Sequence, residues 1–342
     1  MPQVLGWFYF SMLSGIVYPG NSLAAAYATL PNQSYIERDV FFFLWLISTA
    51  AFGYSFNDLC DVETDKTAGK PNSLAKFPLP WRIVIVAIPF LIGLVAWYKL
   101  NQNLVHSQRT DLANLFIGTQ FLALILYSIK PFRMKERAEL GAVFDAFYGH
   151  LNPVLITFCV FGLNPSSGIW FYLFITLVII ICFIKGIRNI LLHQIEDRKK
   201  DNSAKINSVV LKYGPWRTIN FVNNFLFPAE VFFLVCLTIV MSIHIPPCII
   251  PLIFFGIISY LKLSGWKLGY ADRRLVEFKF TYFMNDYYEV WLPVFMLIIL
   301  SVYRHEFVFL LILHLIFFPM FGIKLVKDFK AIRENFKTEE DY

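Results

Sequence analysis

The chain has 342 residues, of which 57% are hydrophobic and only 16% charged. A soluble domain carries about 25% charged residues, so this composition excludes an ordinary globular protein and points to a polytopic membrane protein. The formal charge of +6 does not indicate a nucleic-acid partner, because the basic residues lie between apolar runs rather than in one patch.

A membrane span needs about 20 largely apolar residues. That length predicts helices near residues 5–30, 38–62, 81–100, 112–129, 140–162, 168–195, 217–243, 247–263, 288–303 and 306–327. The last two are parted only by Arg304-His305-Glu306, so the expected fold is an all-α bundle of nine to ten transmembrane helices. The first segment lacks the basic flank and cleavage site of a signal peptide and is expected to stay as a membrane helix. Its Val17-Tyr18-Pro19-Gly20 stretch predicts a kink at Pro19, which spanning helices tolerate. No soluble domain or low-complexity linker interrupts the pattern, so residues 1–342 read as a single domain.

Charge placement supports this map. All Lys and Arg except Arg38, Lys99, Arg109 and Arg304 fall in even-numbered loops, at their helix ends (Lys185 and Arg188 are counted there), or in the tail. The positive-inside rule then puts those loops and both termini on the cytoplasmic side. The aromatic residues, 18% of the chain, suit contact with membrane lipid, and some would line an apolar cavity. Cys60, Cys159, Cys182, Cys236 and Cys248 follow no metal-ligand spacing, and disulfides are not expected.

Two acidic clusters close apolar spans, both on the cytoplasmic side of this map. The first is Asn57-Asp58-Leu-Cys-Asp61-Val-Glu-Thr-Asp65. On a continuing helix Asn57, Asp61 and Asp65 share one face and Asp58 lies one position round. The second is Gln194-Ile-Glu196-Asp197-Arg198-Lys-Lys-Asp201. There Asp197 and Asp201 repeat the four-residue spacing, Gln194 lies roughly on their face, and Glu196 is turned away. Such clusters suit a hard cation, and Mg2+ favours carboxylates together with substrate phosphate oxygens. Lys66 and Lys70 follow the first cluster, and Arg198 lies within the second. The fourth loop reads Tyr127-Ser128-Ile-Lys130-Pro131-Phe-Arg133-Met-Lys135. Positive groups beside metal ligands suit a diphosphate. The plainer alternative is a pair of solvated helix ends balanced by neighbouring lysines. The stretches around 57–80 and 185–217 correspond in position, which hints at a duplicated helix pair.

The Asn57–Asp65 stretch resembles the NDxxDxxxD signature of the UbiA superfamily of intramembrane prenyltransferases. The segment from His193 to Asp201 is similar to that family's second acidic motif, and the Tyr127–Lys135 loop to its third conserved stretch. The resemblance implies a helical bundle around a central cavity and a reaction in which Mg2+ and basic side chains stabilise the diphosphate leaving an isoprenoid. Asn57, Asp58, Asp61, Asp65, Asp197 and Asp201 would hold the metal, with Asp61, Asp197 and Asp201 carrying catalysis. Lys66, Lys70, Tyr127, Arg133, Lys135 and Arg198 would bind the prenyl diphosphate, and Gln194 and Glu196 flank that set. The possible tenth span and the 264–289 segment, ending Asn285-Asp286-Tyr287-Tyr288-Glu289, depart from the family pattern. That segment reads as a lid, an acceptor determinant or an interfacial helix.

The expected function is Mg2+-dependent transfer of a prenyl group to a lipophilic acceptor, for which an aromatic is favoured. A terpene cyclase of the same superfamily, acting without acceptor, and a non-enzymatic transporter are the alternatives. Asp145, His150, Asn152, Asn220, Asn223, Asn224, Glu230 and His314 lie inside apolar spans. They are read either as acceptor-orienting groups or as helix-to-helix hydrogen bonds.

Overall fold

The computed structural model describes residues 2–17, 32–102, 108–161, 169–203, 206–266 and 284–340. All regular structure among them is helical. In chain order the helices are α1 (Pro2–Val17), α2 (Asn32–Ala68), α3 (Leu79–Gln102), α4 (Gln108–Ser128), α5 (Ala138–Ala146), α6 (Asn152–Phe161), α7 (Ile169–Ser203) and α8 (Val209–Tyr213). They continue as α9 (Pro215–Phe221), α10 (Phe227–His244), α11 (Ile250–Trp266), α12 (Leu292–Tyr303), α13 (Phe307–Phe317) and α14 (Met320–Glu340). Single π-helical turns at Phe147–Leu151 and Val222–Leu226 join α5 to α6 and α9 to α10, and another at Tyr287–Trp291 leads into α12.

Each of the ten expected segments carries a helix, but the helices are unequal. Seven are long and apolar enough to cross a membrane, and an eighth is possible if the bent pair α13–α14 is one span. The remaining two are shorter apolar helices, Val4–Leu13 and Pro246–Leu261. The count of nine to ten spans is therefore not reached by length and composition among the described residues. The α13–α14 pair bends by 68° at Phe318-Pro319. Pro319 disfavours helical geometry in the residue before it, and Phe318 is indeed non-helical at φ −126°, ψ 69°. The Pro19 kink falls outside the described residues. So does most of the 264–289 segment; at its end, Asp286 pairs with Lys324 at 2.9 Å. All five cysteines are free thiols. Lys185 and Arg188, counted by sequence at the loop-flanking end of the 168–195 span, lie buried within α7.

The chain divides into two compact units, one of residues 1–24, 161–178 and 223–342, the other of residues 25–160 and 179–222. In the first unit α1 packs on α12 and on the Tyr287–Trp291 turn, burying Leu5, Phe8, Tyr288, Trp291 and Leu297. The Tyr9 hydroxyl lies 3.0 Å from His314 Nδ1, a buried pair. In the second unit α2 and α3 form the most extensive helix pair. Phe52, Phe90 and Phe121 make mutual edge and tilted contacts there, and the Trp97 indole donates to Asn114 Oδ1 at 2.9 Å.

Helix length positions both acidic clusters. The 37 residues of α2 and the 35 of α7 rise roughly 50–55 Å at about 1.5 Å per residue. A bilayer's hydrocarbon core is about 30 Å thick. Each helix therefore outlasts the core, and the excess carries charge: Asn57–Asp65 at the end of α2 and Gln194–Asp201 at the end of α7.

Candidate functional site

Both clusters and the basic fourth loop belong to the second unit, where three segments meet. The first is the end of α2. Gly69 closes it at φ +65°, the left-handed conformation that glycine adopts without side-chain cost. The Lys70 amide donates to the Asp65 carbonyl at 2.9 Å and the Gly69 amide reaches the Lys66 carbonyl at 3.4 Å, the paired bonds of a Schellman cap. The chain reverses there, and the Lys70 ammonium donates to Asp201 Oδ1 at 3.1 Å. One side chain thus joins the end of the first cluster to the end of the second across 131 residues.

The turn that follows folds back on α2. Asn72 Nδ2 donates to Asp65 Oδ2 at 2.8 Å and to the Asp58 carbonyl at 2.9 Å. The Ser73 amide bonds the Asp58 carboxylate. Sequence reasoning did not single out Asn72 or Ser73. The signal available was the Pro71-Asn72-Ser73 turn chemistry directly after Gly69-Lys70.

The third segment is the basic loop. Arg133 is buried, 5% exposed, and takes φ 36°, ψ 60°. A non-glycine residue held at positive φ carries strain that the surroundings must hold in place. Here the surroundings are ionic. Arg133 Nη2 donates to Asp61 Oδ1 at 2.8 Å and to Thr64 Oγ1 at 3.1 Å. Arg133 Nε lies 2.9 Å from Glu136 Oε1, close enough for ion pairing but not aligned as a hydrogen bond. The Lys135 ammonium donates to Asn57 Oδ1 at 2.8 Å and also to Asp61 Oδ2. Burial draws the Lys135 ammonium below its ordinary pKa, and the Asp61 carboxylate pulls the other way. The Ser128 hydroxyl donates to Asn57 Oδ1 at 3.1 Å. That one ammonium reaches both Asn57 and Asp61 shows directly that these side chains share a helix face. Thr64, three residues beyond Asp61, completes the face and was legible only as helical spacing.

Close packing holds the loop. A Cβ on Gly141 would stand 2.9 Å from the Met134 carbonyl and 3.2 Å from Lys135 Cα, so α5 approaches the loop as only glycine permits. The Ala138 amide donates to the Asn207 carbonyl at 2.8 Å, which ties the loop to the chain just after the second cluster.

The remaining candidates are placed as follows. Tyr127 packs edge-on against Tyr148, with centroids 5.0 Å apart, within electrostatic reach of Asp61 and Asp201. Asp197 is half-buried, while Glu196, Arg198 and Lys66 are exposed. Gln194 is buried, and its Oε1 accepts from the Val209 amide at 3.1 Å, beside Ser208, whose hydroxyl caps α8. A separate apolar cavity of ≈ 390 Å³, lined by Ala142, Val143, Ile187, Leu191, Val209 and Phe221, takes in none of the acidic residues of either cluster.

Apolar helices that lengthen into two acid-bearing ends, with a basic loop gripping one and a lysine bridging to the other, define a membrane protein built to manage concentrated negative charge. The family model of the UbiA prenyltransferase family matches residues 17–287, and the chain belongs to that family. Two solved structures are similar. One is a UbiA homologue from Archaeoglobus fulgidus bound to DMAPP and Mg2+, with TM-score 0.50 and 12% identity over 88% of this chain and 96% of that one. The other is a UbiA homologue from the same organism bound to GPP and Mg2+, with TM-score 0.49 and 13% identity over 88% and 98%. The first likeness is one of fold. No curated protein sequence matches the chain.

Proposed function

We propose that the chain is an intramembrane prenyltransferase that ionises an isoprenoid diphosphate with Mg2+ and passes the prenyl group to a lipophilic, aromatic acceptor. The observation that carries this reading is the convergence of one basic set on both acidic helix ends: Arg133 and Lys135 on Asp61, Lys70 on Asp201. Family membership supports the prenyl diphosphate. The matched residues draw on both compact units, in keeping with residues 1–342 acting as one functional domain.

The donor set suits magnesium. Asn57, Asp58, Asp61, Asp65, Asp197 and Asp201 offer hard oxygens, the kind Mg2+ takes alongside phosphate and water. Among the described residues no three acidic, His or Cys side chains already form a closed metal cage. Instead the protein's own cations sit on these oxygens, Lys135 on Asn57 and Asp61 and Lys70 on Asp201. The ammonium groups mark where positive charge is stable, so the residues fit Mg2+ shared with a diphosphate. Bound Mg2+ would neutralise the charge gathering on the departing diphosphate.

The chain's own part follows. With substrate present, Lys70, Arg133 and Lys135 turn from carboxylate to phosphate oxygens, where their charge and donors stabilise the leaving group. Tyr127 donates a hydrogen bond at the same end. Exposed Lys66 and Arg198 draw the diphosphate in from solution. Both clusters and both termini face the cytoplasm, the side on which positive-inside counting places them.

The test is turnover by purified protein given C10, C15 and C20 prenyl diphosphates, with and without Mg2+ and a panel of aromatic acceptors. Prenylated aromatic formed only with Mg2+ and acceptor is the expected result. Terpene products formed without acceptor would reassign the chain to cyclisation. No diphosphate release from any substrate would remove the enzymatic reading.

A further inference from the structure

The fifth-span residues Asp145 and Tyr148 form a constellation that diphosphate binding leaves unused. The Tyr148 hydroxyl donates to Asp145 Oδ1 at 2.9 Å. Tyr148 also engages the Tyr127 side chain, both through the ring contact and through its hydroxyl. Tyr127 in turn lies within electrostatic reach of Asp61 and Asp201. Tyr127, Tyr148 and Asp145 therefore form a linked polar set inside an apolar span, and its Tyr127 end feels the charge of the acidic clusters. Among the described residues no Lys or Arg pairs with Asp145; the charge that it senses is His193. Asp61, by contrast, has two cations. A carboxylate in a spanning helix with one neutral donor is costly and marks a functional position. Asp145, Tyr148 and Tyr127 are each only partly buried.

The backbone is shaped to hold this arrangement. Tyr148 sits in the π-helical turn Phe147–Leu151, a distortion that recurs at functional sites. Two buried amides brace it: Gln120 Nε2 donates to the Tyr148 carbonyl at 3.0 Å, and Asn152 Nδ2 donates to Gln120 Oε1 at 2.8 Å. Asn152 is fully buried and Gln120 is 4% exposed, so a polar cross-tie inside the span fixes the turn that aims Tyr148.

We infer that Asp145 accepts, through Tyr148, the proton that the acceptor gives up when it is prenylated. The inference rests on the prenyltransferase reading. The step balances as follows. The prenyl carbon–oxygen bond breaks, and its electron pair leaves with the diphosphate. The acceptor's electrons form the new bond to the prenyl carbon, and the acceptor loses one proton. That proton passes to the Tyr148 hydroxyl oxygen as the proton already there moves to Asp145 Oδ1, and Asp145 gives a proton back to water after product leaves. Gln120 and Asn152 are positioning residues in this scheme.

The experiment compares the purified full-length protein with Asp145→Asn, Asp145→Glu and Tyr148→Phe, using radiolabelled prenyl diphosphate, Mg2+ and the acceptor that the wild type uses. Asp145→Asn is expected to lower kcat for transfer about 100-fold, within the range for loss of a proton-transfer group, with KM for the prenyl diphosphate unchanged. A larger share of ionised substrate should then appear as prenyl alcohol, trapped by water. Asp145→Glu should recover roughly tenfold of the lost rate, which a packing role would not. Tyr148→Phe keeps the ring and should show the same shift towards alcohol even if the Asn variant folds poorly. Wild-type kcat and product partition in both Asp145→Asn and Tyr148→Phe would overturn the inference while leaving the transferase reading intact. A wild-type protein that releases no diphosphate would remove both.

Discussion

The two acidic segments end helices of similar length but are held differently. On α2, Asp61 is gripped by Arg133 and Lys135, Asn57 by Lys135 and Ser128, and Asp65 by Asn72. On α7, Asp201 meets the long side chain of Lys70, Gln194 is committed to the Val209 amide, and Glu196 faces solvent. The first segment is a preorganised face whose geometry is set by a strained, buried arginine and a glycine-tight loop. The second is joined to it by a lysine, whose flexible stem reorients at little cost. Under the proposed function, the contrast implies a division of labour: the α2 face would fix where the diphosphate sits, and the α7 end would adapt to it.

The sharpest way to break this comparison is Asp61→Ala, which removes the shared partner of Arg133 and Lys135. Diphosphate release should fall by at least ~10³-fold, the upper range for losing one preorganised electrostatic group, as read by a coupled diphosphate assay. Asp201→Ala should cost about 10²-fold, the lower end of that range, and Asp197→Ala should cost a similar amount. Losses larger than that of Asp61→Ala would reverse the assignment of the fixed face. Lys70→Ala should act mainly on KM for the prenyl diphosphate, raising it about tenfold, the worth of one partly exposed charge-assisted bond. An effect confined to kcat would contradict its bridging role. Gly141→Ala should destabilise the loop by about 1–3 kcal/mol through overpacking against the Met134 carbonyl, lowering Tm in a thermal melt together with kcat. The smallest expected effect is that of Asn72→Ala, about 1 kcal/mol for its hydrogen bonds to α2, measured in the same melt.

Much of this was legible in the sequence because helical spacing and hydropathy are local signals. The i, i+4 spacing of Asn57, Asp61 and Asp65 read as one face because an apolar run long enough to span a membrane is helical, and that helix continues through the cluster. The basic loop was legible as charge, but not its geometry, since the positive φ of Arg133 leaves no trace in residue type. Gln194 shows the limit of spacing arguments. It lies roughly on the Asp197 face, yet its oxygen is taken by a backbone amide fifteen residues on, a tertiary contact that periodicity does not encode. Apolar composition marked Val4–Leu13 and Pro246–Leu261 as well as the long helices; among the described residues seven helices, or eight with the bent pair, are long and apolar enough to span. Lys185 and Arg188 were legible as charges within the 168–195 span, but not their burial in α7.

Substrate binding separated from turnover tests the central claim most directly. An unreactive thiolo analogue of geranyl diphosphate, titrated calorimetrically into wild type, Asp61→Asn and Asp201→Asn with and without Mg2+, provides it. The account predicts tight binding by wild type only with Mg2+, with each substitution weakening it more than about tenfold and Asp61→Asn the more severe, in line with the loss of a charge-assisted site. Equal, Mg2+-independent binding by all three proteins would contradict it.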